Sequence, residues 1–299
     1  MSKTMLSLVG EQPVPNVLPI RHVQPRDVAL IHTHTTRRVS DNLVPLLKNN
    51  CKVIPYEVTA YDILKVRKSL EKLIEKHQWK ADELIFNLTG GTKPMAWAAF
   101  QLAQELRAEF VYLQSEGGKS LLYLYNFAAD TLSLVKKEEI AEHLSIDDYL
   151  LAHGLKGYKQ QKKTQWFELL VCQTLKPHVS EIIANVKLWN LEIDLVVRLE
   201  NQFGIIEAKS GHSEKKKEAI DQLSTASQRE FLGTFIKRLL VLKRPLGSDN
   251  KKLADAHNIV EIVLPSADEK DGISENDKCL LIETVTKTLG RKRLINKAG

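Results

Sequence analysis

Two stretches of this chain combine residue types that can do chemistry. The first is Asn87-Leu88-Thr89-Gly90-Gly91-Thr92-Lys93-Pro94. It follows the apolar run Leu84-Ile85-Phe86 and opens a helix-like segment over 95–106, so a strand is predicted to enter a Gly-Gly turn and leave it through a helix N-terminus. Such a turn aims backbone N–H groups, hydroxyls and the positive end of a helix dipole at one point, which suits a phosphate. The second stretch lies far downstream: Glu192-Ile193-Asp194, then Glu207-Ala208-Lys209. Two acidic strands and a lysine at that spacing imply metal-dependent phosphodiester cleavage.

The chemistry of the second stretch can be read residue by residue. Phosphodiester hydrolysis needs a cation that activates water and neutralises developing charge, and hard divalent ions prefer carboxylate oxygens. Asp194 stands in an apolar strand, Ile193-Asp194-Leu195-Val196-Val197, and Glu207 and Lys209 are two apart on the next, so both face one side. Asp194 and Glu207 can share an ion, with the Ala208 carbonyl as a further ligand. Lys209 can orient or acidify the attacking water. Glu168, on the preceding helix, can reach the ion or a water on it, and Gln222, on the following helix, can support the site. Taken alone, Glu-x-Lys is also what a salt-bridged edge strand looks like. Glu192 faces either the site or solvent, and His212 reads as a surface histidine.

In the first stretch Thr92 is placed to cap the helix and Pro94 sits inside its first turn. Other polar loops end neighbouring predicted strands: Gly10-Glu11-Gln12 with Asn16, then Thr33-His34-Thr35-Thr36, then Gln114-Ser115. Ligand crevices of open α/β sheets form at such strand ends. The candidate ligand-binding set is Gly10, Gln12, Asn16, Thr33, Thr35, Thr36, Thr89, Gly90, Gly91, Thr92, Lys93 and Ser115. The competing reading is a tight, well-capped turn and nothing more. His32 and His34 look like a metal pair, but no third ligand has suitable spacing, and a strand end with one ring in and one out is the expectation.

Elements must hold these residues in place. The chain has 299 residues, enough for two domains with cores of their own. Strands are predicted over 4–9, 27–33, 51–57, 83–87 and 109–114, with helices over 39–48, 60–77 and 94–106; apolar runs separated by helical patterns imply parallel βαβ units. The first connection is short and rich in proline (Pro13, Pro15, Pro19). A hairpin over 121–127 and 131–136 and a helix over 137–151 follow. The second half reads helix 164–175, strands 181–188, 192–199 and 203–208, helix 213–229, strand 235–242, helix 249–256, strand 259–264 and helix 275–289. The expected domains are 1–150 and 164–299, joined by a polar, glycine-punctuated linker at 151–163.

Composition narrows the function class. The formal charge of +6 favours polyanionic partners. Lys215-Lys216-Lys217 and Arg291-Lys292-Arg293 read as solvated charge runs. No apolar run approaches the ~18 residues of a membrane span, and Met5-Leu6-Ser7-Leu8-Val9 lacks the basic flank of a signal peptide. Cys51, Cys172 and Cys279 are scattered and form no zinc spacing. A reducing, cytoplasmic compartment is expected.

The element order and the pattern SLVGEQ…PN…HTHTT…NLTGGTKPM resemble the CARF (CRISPR-associated Rossmann fold) domain over about the first 140 residues. The resemblance implies a homodimer that binds a cyclic oligoadenylate across its two-fold axis, each protomer supplying the same loops. The second half resembles the PD-(D/E)xK pattern, written here as E…(E)xD…ExK…Q on an αβββαβ order. The fold class expected is therefore α/β: an N-terminal Rossmann-like (CARF) parallel-sheet domain plus a C-terminal restriction-endonuclease-like α/β domain. The fusion resembles the CARF nucleases of type III CRISPR defence, whose nuclease motifs match Asn190-Leu191-Glu192-Ile193-Asp194 and Glu207-Ala208-Lys209-Ser210-Gly211. That likeness implies cyclic tetra-adenylate as activator, manganese or magnesium as the ion, and DNA, RNA or both as substrate. Two other readings stand beside it. One is a ligand-sensing regulator that holds nucleic acid without cutting, though such a module has no need of a buried acidic cluster. The other is slow cleavage of the ligand by the first domain itself, through ribose 2′-hydroxyl attack.

Overall fold

The computed structural model describes residues 3–128, 131–141, 143–155, 157, 159–160, 165–188, 191–211, 214–228 and 231–290. The chain forms two compact units, Met1–Leu144 with Asp148–Gly154, and Ser145–Asp147 with Leu155–Gly299. No helix among the described residues is long and apolar enough to cross a membrane. His212, Asn190, the basic run 291–293 and much of the expected linker lie outside the described residues.

The first unit contains β1 (Thr4–Leu8), α1 (Val14–Val23), β2 (Asp27–His32), α2 (Arg37–Leu47), β3 (Lys52–Glu57), α3 (Ile63–His77), β4 (Leu84–Asn87), α4 (Lys93–Glu105), β5 (Glu109–Glu116), β6 (Lys119–Ala128) and β7 (Thr131–Glu139); α5 (Ile146–Ala152) is divided between the units. The sheet order is β3-β2-β1-β4-β5-β6-β7. Strands β3 to β5 of that order pair in parallel, and β5, β6 and β7 pair antiparallel. Every residue of β1 and β2 is buried, as a parallel sheet covered on both faces requires. The α3 helix buries Val66, Leu70 and Leu73 along one stripe, starts where Asp62 accepts the Lys65 N–H at 3.0 Å, and ends at Gln78 in the left-handed region (φ +54°).

Two elements differ from expectation. The proline-rich connection contains α1, with Pro15 in its first turn and Pro19 inside. Pro19 has no N–H to give the Pro15 carbonyl four residues back; Asn87 Nδ2 donates to that carbonyl instead, at 2.9 Å. A partner 72 residues away in sequence permits this helix. The predicted helix over 137–151 is a strand as far as Glu139, because Leu121, Leu122 and Tyr123 pair with Glu139, Glu138 and Lys137. Only 146–152 is helical. Cross-strand pairing overrides helix propensity there.

The second unit contains β8 (Lys159–Gln160), α6 (Trp166–Leu175), β9 (Glu181–Leu188), β10 (Leu191–Leu199), β11 (Gln202–Lys209), α7 (Glu214–Ala226), β12 (Lys237–Leu242), α8 (Ser248–Ala256), β13 (Ile259–Val263) and α9 (Glu275–Thr288). Its sheet order is β13-β12-β11-β10-β9-β8, antiparallel from β8 to β11 and parallel from β11 to β13. Phe167, Val171, Leu195, Val197, Ile206, Leu239, Leu281 and Val285 share its core.

His153, past the end of α5, is 7% exposed; its Nδ1 lies 2.9 Å from the Tyr149 carbonyl oxygen and its ring packs on Tyr149. Burial pushes its pKa down to about 4, with the Arg38 charge acting in the same direction and the Tyr149 carbonyl opposing. A base whose folded pKa is depressed contributes stability that is complete above its unfolded value, about 6.5, and is lost as pH falls through that value towards 4. At pH 5 the loss is about 2 kcal/mol. Urea denaturation at pH 7 and pH 5 should show the wild type losing about 2 kcal/mol more than His153→Gln; equal losses would contradict the assignment.

Candidate functional site

The strand order of the first unit reverses between β1 and β4, the point of an open α/β sheet outside whose carboxyl ends ligand crevices form. The loops that leave these two strands are in backbone contact. A Cβ on Gly90 would stand 2.2 Å from the Leu8 carbonyl oxygen, and one on Gly10 would stand 3.1 Å from the Gly91 nitrogen. Gly91 has φ +77°. Glycine at 90 and 91 is thus required by loop packing and backbone conformation, before any ligand is considered.

Beneath the loops runs a buried polar chain. Leu113 N–H donates to Thr89 Oγ1 (2.9 Å), and Thr89 Oγ1 donates to Asn87 Oδ1 (2.7 Å). Asn87 Nδ2 donates to Ser7 Oγ (2.9 Å), and Ser7 Oγ donates to Asn16 Oδ1 (2.8 Å). Asn16 Nδ2 ends the chain, buried and without a hydrogen-bond partner in the protein. Asn16 lies within α1, not in a loop. Ser7 and Asn87 join this chain although neither is in the candidate set. The signal for them was a polar residue inside β1, and one at the end of the otherwise apolar β4.

The remaining residues divide by what they have left to offer a ligand. Thr92 caps α4, accepting the Met95 N–H at 3.3 Å, and donates to the Ala60 carbonyl at 2.6 Å, so its hydroxyl has no proton left to give a phosphate. Thr33 and Thr36 each accept the other's backbone N–H, at 3.0 and 3.3 Å. Thr35, bonded to Thr33 by its hydroxyl at 2.9 Å, is exposed; Gln12 is half-buried. Lys93, the first residue of α4, is exposed and is the cation of this loop. His32 is buried and His34 exposed, so they form no pair. Ser115 differs from expectation. Ser115 was expected just past a strand end; pairing of β5 with β4 ends at Val111, and β5 continues through Ser115 to Glu116 paired with β6.

The acidic site of the second unit forms where strand pairing lapses. The β10–β11 ladder stops at Leu195 opposite Ile206. The β9–β10 ladder skips Asp194 without a change of register, Ile193 facing Val186 and Leu195 facing Ala184, while Asn185 turns to φ +54°. Pairing defects of this kind re-aim side chains. Asp194, 6% exposed, uses Oδ2 to accept the Ala208 N–H (2.8 Å) and Lys209 Nζ (2.7 Å). Lys209 Nζ also lies 2.9 Å from Glu207 Oε2, at an angle too oblique for a hydrogen bond, so that buried oxygen remains unsatisfied.

Burial and then the Asp194 charge push the Glu207 carboxyl (1% exposed) up to about 8. Burial works against the Lys209 charge, but Glu207 and Asp194 outweigh it and raise its pKa. Glu168 is raised by burial and next by Asp194, which places it in the same cluster, while its Oε2 accepts the Gln165 N–H at the start of α6 (3.1 Å). Gln222 lies on α7, which packs on β10 and β11, and its Oε1 is buried without a partner. Glu192 is exposed. Among the described residues no three His, Cys, Asp or Glu side chains are arranged to hold a metal ion. Two carboxylates, one of them with an orphaned oxygen, nonetheless suit a hard divalent ion that completes its shell with the Ala208 carbonyl and water. Lys209 Nζ stands between the acids as a cation would.

Residues 4–149 match the family described as the Card1 CARF domain. The first unit has the CARF fold. The whole chain also resembles solved structures. Can2 from Sulfobacillus thermosulfidooxidans, in complex with cyclic tetra-adenylate, is 17% identical with a TM-score of 0.76, covering 97% of this chain and 100% of that one. Protein VC1899 from Vibrio cholerae is 15% identical with a TM-score of 0.76, covering 97% and 99%. A type III CRISPR defence DNA nuclease activated by cyclic oligoadenylate is 16% identical with a TM-score of 0.64, covering 98% of this chain and 52% of that one. At these identities the likeness is one of fold. No curated protein matches the chain.

The loop contact in the CARF unit carries a direct prediction. Gly90→Ala drives a methyl group into the Leu8 carbonyl, backbone against backbone, and should cost about 2 kcal/mol. A urea midpoint unchanged from wild type would show that the loops separate freely.

Proposed function

We propose that the chain is a cyclic-oligoadenylate-activated, metal-dependent endonuclease of type III CRISPR defence, acting in the cytoplasm as a homodimer. The observation that carries this reading is the convergence of Asp194, Glu207 and Lys209 at the lapse in β10 pairing, in a chain whose first unit is a CARF fold. The complex of Can2 with cyclic tetra-adenylate and the oligoadenylate-activated DNA nuclease support it. The activator is cyclic tetra-adenylate, bound outside the β1 and β4 strand ends by the half-buried backbone of Gly90–Thr92, by Lys93, and by the loops bearing Gln12 and Thr35. The nuclease unit is of PD-(D/E)xK type and cuts DNA, RNA or both.

A manganese or magnesium ion held by Asp194, Glu207 and the Ala208 carbonyl would supply Lewis acidity and a water of lowered pKa. The chain's own residues do the positioning. Lys209 Nζ, released from the two acids, donates to the attacking water or to a non-bridging phosphate oxygen. Glu168 accepts from a water at the cluster, and the unpaired Gln222 Oε1 accepts from another. The water oxygen bonds to phosphorus as the bond to one ester oxygen breaks, leaving a phosphomonoester and a hydroxyl.

Asp194→Ala or Glu207→Ala removes a charged group needed in the transition state. Cleavage of labelled DNA or RNA with manganese and cyclic tetra-adenylate should fall roughly a hundredfold, on the order of 3 kcal/mol. Activator binding should persist. Wild-type cleavage by Asp194→Ala would refute the site.

Activation requires that the ligand bind one state of the dimer more tightly than another; a tenfold effect needs about 1.4 kcal/mol of difference. Lys93→Ala should shift the activation curve to higher ligand concentration and leave the saturating rate intact, while sedimentation reports a dimer. Full wild-type activity without activator, or a monomer with ligand present, would sink the gated dimer.

A further inference from the structure

Sequence reasoning treated Lys215-Lys216-Lys217 as a solvated charge run, and the structure corrects this for Lys216. The Lys216 side chain on α7 is 7% exposed, and its Nζ donates to two backbone carbonyls, those of Arg244 and Pro245, at 3.0 Å each. These belong to the segment between β12 and α8. The same segment is held from its other side by Glu261, whose Oε1 accepts the Leu246 N–H at 2.7 Å and whose Oε2 pairs with Lys251 at 3.2 Å. Burying an ammonium group is costly unless its donors are used. Here they are spent on fixing the backbone of a surface loop.

That loop begins with two cations, Lys243 and Arg244, directly after the β12 residue in register with Lys209. Leu242 is in register with Lys209, and the Lys243 N–H donates to the Lys209 carbonyl at 3.3 Å, so Lys243 follows directly beside the Glu207–Lys209 strand end. Its Nζ lies 5.9 Å from the centre of the Trp166 ring, and Trp166 precedes Glu168 by two residues on α6. Arg244 is exposed, and Lys243 lies close enough to Asp268 for its charge to help hold that carboxyl below its ordinary pKa; neither cation is within 4.0 Å of a carboxylate oxygen among the described residues. An acidic cluster disfavours the phosphates on either side of the one held at its centre. Cations flanking the cluster offset that cost by neutralising those adjoining phosphates.

We propose that Lys243 and Arg244 form a clamp on the phosphodiester backbone of a nucleic-acid strand, contacting the phosphates next to the one cleaved, with Lys216 as the positioning residue that sets the clamp. The proposal rests on the reading of Asp194, Glu207 and Lys209 as a phosphodiesterase centre. It assigns substrate contact to a pinned loop outside the acidic motif.

The test uses the full chain with cyclic tetra-adenylate and manganese, and labelled duplex DNA and single-stranded RNA as probes. Cleavage kinetics are measured for wild type, for the Lys243→Ala/Arg244→Ala double variant and for Lys216→Met. Binding of the same probes by fluorescence anisotropy against potassium chloride is measured in an Asp194→Ala background, with and without the clamp changes. The double variant should raise KM about tenfold with kcat within twofold, and flatten the slope of log affinity against log salt by about two, since each lost phosphate contact removes about 0.9. Lys216→Met should move KM and the salt slope in the same direction, which general destabilisation would not do to the slope. An unchanged KM and slope in the double variant would overturn the clamp and leave the nuclease reading standing. Salt-dependent binding that the double variant flattens, without cleavage by the wild type, would uphold the clamp and overturn the nuclease reading. An Asp194→Ala protein with the clamp intact that binds neither probe, together with a wild type that cuts neither, would overturn both.

Discussion

Two carboxylates in the middle of an apolar sheet are tolerable only if something compensates them, and in the second unit that compensation is the Lys209 ammonium, 2.7 Å from Asp194 and 2.9 Å from Glu207. The other features of the site follow from this group. Asp194 can turn towards Lys209 because the β10 ladders lapse on both sides of it, and the Ala208 N–H freed by that lapse is taken up by Asp194 itself. Burial, and next the Asp194 charge, still push the Glu207 carboxyl towards the neutral form, against the pull of Lys209. A buried pair of this kind contributes little to stability relative to an apolar core. Its presence inside the sheet is what the proposed cleavage requires.

The CARF unit is governed by a different economy, that of backbone hydrogen bonds. Pro19 deprives the Pro15 carbonyl of its helical partner, and Asn87 supplies one from β4. Through its other bonds Asn87 fixes Thr89 above and Ser7 beside it. The loops that leave β1 and β4 then meet with no room for a side chain at Gly90. The loops are thereby tied to one another and to the strands beneath. Lys93 and Thr35 are exposed beside them.

In both units a polar side chain within an apolar strand takes over a bond that regular structure does not make. Asn87 does so for a proline-containing helix, and Asp194 for an interrupted ladder. Lys216 extends the pattern to a loop, satisfying carbonyls that have no place in helix or sheet. Each is a buried polar group whose cost is offset by hydrogen bonds to backbone.

The sequence by itself determined the α/β class, most elements, and the pairing of an acid in one strand with Glu-x-Lys in the next, because these rest on periodicity and on spacings of two or three residues. The cap at Thr92 was legible for the same reason. The tertiary structure alone decided the rest. Helix α1 exists because of a donor on β4. The stretch 137–139 is strand because β6 offers it a ladder. Ser115 rides on an arm because β5 outruns β4. Lys216 is buried because two carbonyls after β12 need a donor. In each case the deciding partner is distant in the chain, and local pattern carries no trace of it.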